Sequence, residues 1–124
     1  MASKHFISLE TAKRLTKKYR EHKEKILVED FKEKKVFPIC ETFDRAAFDK
    51  VLAKRGCKGL RIYFGMDEGN LVRAVIVGVN EKDEDMLPSG ISQGKGGDDP
   101  VGEDIIEDGM RCPEMCPAAS PLNS

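Results

Sequence analysis

The residues whose types and spacing best suit them to chemistry are the cysteines of Cys112-Pro113-Glu114-Met115-Cys116-Pro117. Each is followed by proline, which fixes the local backbone and can turn both sulfurs to one side. Three readings compete: free thiols in a reducing compartment, a zinc site completed by Cys40 and Cys57, and a redox-responsive disulfide within the tail or to Cys57. Four thiolates suit tetrahedral zinc, but Cys40 and Cys57 are far apart in sequence and neither forms a C-x2-C knuckle. The spacing of 112 and 116 closes as a disulfide only with suitable turn geometry, and a reducing compartment disfavours a permanent one. Cys57 lies in Gly56-Cys57-Lys58-Gly59. Lys58 favours its thiolate, the end of a preceding helix disfavours it, and a small buried hydrophobe is the plainer reading.

Other candidate chemistry fails on spacing. Gly94-Lys95-Gly96 resembles part of a phosphate loop, but Ser89 stands where the first glycine belongs and Gly96 where the hydroxyl belongs. The acidic run Glu81, Asp83, Glu84 and Asp85 lacks the central glycine and terminal glutamate of a calcium loop; it reads as a solvated, flexible segment. The only histidines, His5 and His22, have no neighbouring nucleophile with an orienting carboxylate. No catalytic residue is assigned, and an enzyme is not the expected class.

Charge is divided along the 124 residues. Residues 1–35 carry +5, residues 36–80 carry +2 and residues 81–124 carry −8, for a net −1. A basic face at Lys13, Arg14, Lys17, Lys18 and Arg20 could meet nucleic-acid phosphates or a protein partner, but phosphate binding needs a sustained excess of cations. The plainer expectation is that the acidic tail neutralises the basic helix. No apolar run approaches the ~20 residues of a membrane span, and Met1–Ile7 lacks the apolar core of a secretory signal. A cytoplasmic protein without membrane attachment is expected.

The elements that must position these groups follow from periodicity. Ser8 is an N-cap candidate, and Leu9, Ala12, Leu15, Tyr19 and Ile26 follow at helical spacing, so a helix runs from about Leu9 to Glu24. Val36–Cys40 holds Pro38 and is at most an edge strand. A second helix, capped by Thr42 or Asp44, carries Ala47, Phe48, Val51 and Leu52 on one face and ends at Gly56. Leu60, Ile62, Phe64 and Met66 alternate with Arg61, Tyr63 and Gly65, a period of two that marks a strand. Asp67-Glu68-Gly69-Asn70 is turn chemistry, and Leu71–Val79 is apolar enough for a central strand. Two strands alone are marginal in water, so Phe37–Cys40 or a second subunit is expected to complete the sheet. Asp104–Met110 could add one helical turn anchored by Ile105 and Ile106, and the proline-rich remainder should be extended.

Phe6-Ile7-Ser8-Leu9, the block Gly56-Cys57-Lys58-Gly59-Leu60-Arg61-Ile62-Tyr63-Phe64-Gly65, Val77-Gly78-Val79-Asn80 and the ending Cys112-Pro113, Cys116-Pro117, Pro121-Leu122-Asn123-Ser124 together resemble an uncharacterised family of short bacterial proteins with no established activity. The resemblance implies a bacterial cytosolic protein with two helices, a hairpin and a Cys-Pro tail, and it transfers no catalytic residue. The expected fold is α+β: two helices packed on a small antiparallel sheet centred on the 60–80 hairpin. Residues 1–80 form the domain, 81–104 an acidic Gly-rich loop and 105–124 the tail. The leading functional expectation is a non-enzymatic interaction or regulatory module that needs no cofactor and binds a protein partner or a second copy of itself. The alternatives are a thiol-redox or zinc protein using Cys112 and Cys116, and nucleic-acid binding through the basic helix.

Overall fold

The computed structural model describes residues 4–88 and 103–124. The fold is α+β. Its elements are α1 (Leu9–His22), β1 (Cys40–Thr42), α2 (Arg45–Leu52), β2 (Cys57–Met66), β3 (Val72–Asn80), β4 (Ile105–Ile106) and β5 (Met110–Cys112), with a 3-10 turn at Glu29–Phe31. Two compact units emerge, one of Glu41–Met110 and one of Met1–Cys40 with Arg111–Ser124. These boundaries differ from the division at 80 and 104 because Ile105–Ile106 returns to the hairpin, whereas the tail returns to the segment around Val36.

The Glu41–Met110 unit is built on the hairpin. Asp67 closes its turn by accepting the backbone N–H groups of Gly69 and Leu71, each at 2.9 Å. Asn70 takes the left-handed backbone there, with φ 64°, a conformation asparagine tolerates better than most side chains. β2 and β3 then pair antiparallel, with Ile62 opposite Ile76 and Met66 opposite Val72, and a bulge at Lys58. The third strand is not Phe37–Cys40 but β4, which pairs Ile106 with Ile76 and Ile105 with Val77 and makes β3 the central strand. The expected helical turn at 104–110 is therefore overturned: a single turn gains little locally, whereas β4 satisfies the open edge of β3 and buries Ile106. β1 and β5 form a separate two-stranded sheet.

The core of this unit is small. Val51, Ile76 and Ile106 form its centre, and Phe43, Ala47, Phe48, Cys57 and Leu60 pack around them. The rings of Phe43 and Phe48 stack at 5.9 Å. Gly109 lies so close to the Phe43 ring that a Cβ there would stand 2.7 Å from it. α2 begins at the Asp44 cap and ends at Leu52, with Ala53 as its C-cap. A turn through Gly56, at φ 86°, leads on into β2. Leu52, expected on the buried face, is exposed. α2 packs on β2, β3 and β4, and α1 belongs to the other unit.

That other unit has a different construction. α1 is capped by Ser8, whose Oγ accepts the Thr11 N–H at 3.1 Å, and buries none of its residues fully. Tyr19 meets Phe37 edge to face at 6.4 Å, and its hydroxyl donates to the Pro38 carbonyl at 2.6 Å. Arg111 is buried, and its guanidinium donates to the carbonyls of Lys35 and Val36 at 2.6 and 2.7 Å. The Ile39 N–H donates to the Cys112 carbonyl at 2.7 Å. Arg20 donates to the carbonyls of Leu122 and Ser124. Within this unit the last residues are held through Arg20 and Arg111, mainly by way of backbone oxygens, and Lys35 adds an acid–base contact with Glu114 at 3.0 Å.

Candidate functional site

The hairpin gathers a connected set of polar side chains. Alternation along β2 puts Arg61 and Tyr63 on one sheet face and Leu60, Ile62, Phe64 and Met66 on the other. After β3 the chain folds back: Asn80 Oδ1 accepts the N–H groups of Lys82 and Glu84 at 2.9 and 3.0 Å. Met86 N–H donates to the Gly78 carbonyl at 2.8 Å, and Asp85 bridges to Val79. This turn delivers two carboxylates to β2. Arg61 Nη1 lies 2.5 Å from Asp85 Oδ1 and Arg61 Nη2 lies 2.5 Å from Asp83 Oδ1. The Tyr63 hydroxyl donates to Asp85 Oδ2.

Glu81, Asp83 and Glu84 are exposed, as expected of a solvated acidic run, but Asp83 and Asp85 are engaged by Arg61 and Tyr63. The signal that could have found the site is Asn80, whose side chain nucleates the turn as asparagine does, four residues before Glu84. The hydrogen bond from Tyr63, with that from Arg61, holds the Asp85 carboxyl below the usual carboxylate range. Each partner's own hydrogen bond to Asp85 raises it in turn, the Tyr63 phenol and the Arg61 guanidinium alike. A carboxylate held ionised and a phenol held protonated are not matched to proton transfer near neutral pH. The cluster acts as a clamp that fixes the loop on the strand.

The opposite face of β2 is apolar and bare at its far end. Ile62, Phe64 and Met66 are 54%, 81% and 60% exposed. α2 covers the sheet around Val51, Ile76 and Leu60. β2 is also an outer strand, with β3 as its neighbour on one side and no strand on the other among the described residues. Consecutive exposed apolar groups on an open strand edge mark an interaction surface more readily than scattered ones do.

The clefts along α2 and β4 measure about 230 Å³, beside Lys50, Val51 and Ile105, and about 220 Å³, beside Phe43 and Gly109. Both fall below the roughly 300–1,000 Å³ of ligand pockets. Lys50 with Glu103, and Lys54 with Asp104 at 2.7 Å, link α2 to the segment entering β4. Among the described residues no three His, Cys, Asp or Glu side chains gather in a metal-binding group.

The sequence-predicted thiols separate into a pair and two singles. Cys112 and Cys116 form a disulfide, with Cα atoms 4.5 Å apart. The turn that brings them together is closed by the Met115 N–H on the Arg111 carbonyl at 2.8 Å, geometry that spacing alone does not reveal. A disulfide offers no thiolate to zinc. Cys40 on β1 and Cys57 are free thiols, and Cys57 packs against the α2–sheet core as a small apolar group.

Of the basic-face candidates, Lys13 lies 3.6 Å from Glu10, Arg20 holds the tail, and Arg14, Lys17 and Lys18 are exposed on α1. The Gly94-Lys95-Gly96 segment lies outside the described residues. No helix among the described residues is long and apolar enough to cross a membrane. Compared with protein-family models, with curated proteins and with solved structures, the chain matches none of them.

Proposed function

We propose that the chain is a non-enzymatic interaction module that engages a protein partner along β2. The observation that carries this reading is the bare apolar end of an outer strand: Ile62, Phe64 and Met66 on a ten-residue strand that has no strand along its other edge among the described residues. Strand addition supplies affinity through main-chain hydrogen bonds and specificity through alternate side chains, and β2 offers both. The Arg61–Asp85–Tyr63 clamp stiffens the strand from its other face, which lowers the ordering cost of binding. The test is a photo-crosslinking residue placed at Phe64 and, as a control, at Glu10, with crosslinking in the native host cell. Discrete protein adducts at 64 and none at 10 are expected. No protein adduct at 64, or the same adducts at both positions, overturns the proposal.

A second reading, thiol–disulfide exchange, is favoured by the asymmetry of the tail pair: Cys112 is buried and Cys116 exposed. A dithiol would attack Cys116 Sγ, break the S–S bond, and leave two protein thiols and an oxidised partner. Alkylation mass spectrometry across a graded glutathione series tests this. A midpoint within the cytosolic range supports exchange, and a pair that stays oxidised throughout it rejects exchange.

A further inference from the structure

We infer that the partner of β2 is a second copy of the same chain, paired antiparallel about a two-fold axis at Tyr63. This deepens the interaction-module reading and rests on it. Three observations on β2 lead to this register. The first is hydrogen-bonding parity. The Asp67 N–H donates to the Leu71 carbonyl at 3.0 Å, and the β2–β3 register runs unshifted from Gly59 to Met66. Antiparallel ladders alternate, so the odd residues of β2 bond to β3 and the even ones, Leu60, Ile62, Phe64 and Met66, aim their N–H and C=O groups at the open edge. A copy paired about Tyr63 sets Ile62 against Phe64 and Leu60 against Met66, so even residues meet even residues and the edge groups are satisfied reciprocally.

The second is charge. Lys58 and Glu68 lie at equal distances on either side of Tyr63, and both are exposed. Lys58 lies in the bulge at the start of β2 and Glu68 in the turn just past its last residue, Met66; pairing about Tyr63 brings Lys58 of each copy toward Glu68 of the other, so two opposite-charge pairs flank the two ends of the shared ladder. Moving the axis one residue sets Lys58 against Met66 or Asn70 and loses both. The bulge and lysine at the start of β2 are the kind of device that blocks indiscriminate edge pairing, and this register turns the lysine into a selector.

The third is shape. On the polar face Arg61, whose side chain reaches out to Asp83 and Asp85, would stand opposite Gly65, which leaves it room, and Tyr63 would face its own copy. On the apolar face the exposed Ile62 and Phe64 would become cross-strand neighbours twice over. Such an interface is isologous and closes on itself, leaving the short strand β4 as the outer edge of each half.

The experiment is sedimentation velocity with light scattering on the full chain across a concentration series. A concentration-dependent dimer is expected. Lys58→Glu and Glu68→Lys should each weaken it on the order of tenfold, since each converts two attractive cross-strand pairs into two repulsive ones. The double variant should restore the dimer, and mixing the two single variants should yield a heterodimer in preference to either homodimer. That preference cannot arise from misfolding, so it stands even if one variant is less stable. A strict monomer at every concentration, or a dimer indifferent to both reversals, overturns the inference. Protein adducts from Phe64 alongside a strict monomer would leave the interaction module standing with another partner, whereas absence of both would remove the two readings together.

Discussion

The two units of this chain are stabilised by opposite means. Glu41–Met110 has an apolar centre of Val51, Ile76 and Ile106, with successive residues of β3 buried. Met1–Cys40 with Arg111–Ser124 has a helix with no fully buried residue, one buried arginine gripping two carbonyls, and a short disulfide ring. The first relies on removing hydrocarbon from water, which is additive and tolerant of shape. The second buries Val36 and Cys112 but relies more on directed polar contacts, which lose most when one partner is left unsatisfied. The contrast shows where each part of this small chain is vulnerable, and why the exposed strand lies in the unit that can hold it rigid.

Four substitutions and a change of pH break or sharpen the contrast. Ile76→Ala should cost about 2–5 kcal/mol as a core truncation, read by denaturant unfolding, with amide protection lost over 57–80 and largely kept in α1. Equal loss in both regions would show one cooperative fold. Arg111→Met should cost about 2 kcal/mol, because the Lys35 and Val36 carbonyls lose their donor. Here the exchange rates of 36–39 and 111–116 should rise while those of 57–80 hold. Ser8→Ala should cost about 1 kcal/mol through loss of the α1 cap, seen as fraying of the first turn by helical circular dichroism.

The smallest effect is that of pH on the hairpin. Backbone N–H bonds from Leu71 and Gly69, with Arg73, hold Asp67 below the usual carboxylate range, and Tyr63 and Arg61 do the same for Asp85. For a lowered folded value, the stabilisation is present above the unfolded aspartate value of about 3.9 and is lost as pH falls through the folded value. Tyr63, raised by Asp85, contributes below the unfolded tyrosine value of about 10 and loses that contribution as pH rises through its folded value. Carboxyl and tyrosine titrations by NMR check both. Asp85→Asn should remove one of the two acid-side effects and leave that of Asp67.

How much was legible follows from the length scale of each contact. The hairpin was readable because alternation from Leu60 to Met66 and the Asp67–Asn70 turn are local, and the Ser8 cap needs only Thr11. β4 was not, because two isoleucines carry no period and become a strand only against the open edge of β3. The exposure of the acidic run is legible in its composition, but its contacts are not, because their partners Arg61 and Tyr63 lie some twenty residues earlier. The tail cysteines stood out in sequence, but their pairing depends on a turn closed by Arg111 and Met115.

By itself the sequence determined the helices, the hairpin and its turn, because these depend on neighbours a few residues away and on which side of each element is apolar. Only the tertiary structure decided that Arg111 caps the carbonyls of Lys35 and Val36, that β4 pairs with β3, and that β2 is an outer strand among the described residues. Those outcomes depend on which distant backbone groups and apolar faces find each other once the chain has collapsed, and burial and hydrogen-bond satisfaction choose among partners that local pattern leaves equivalent.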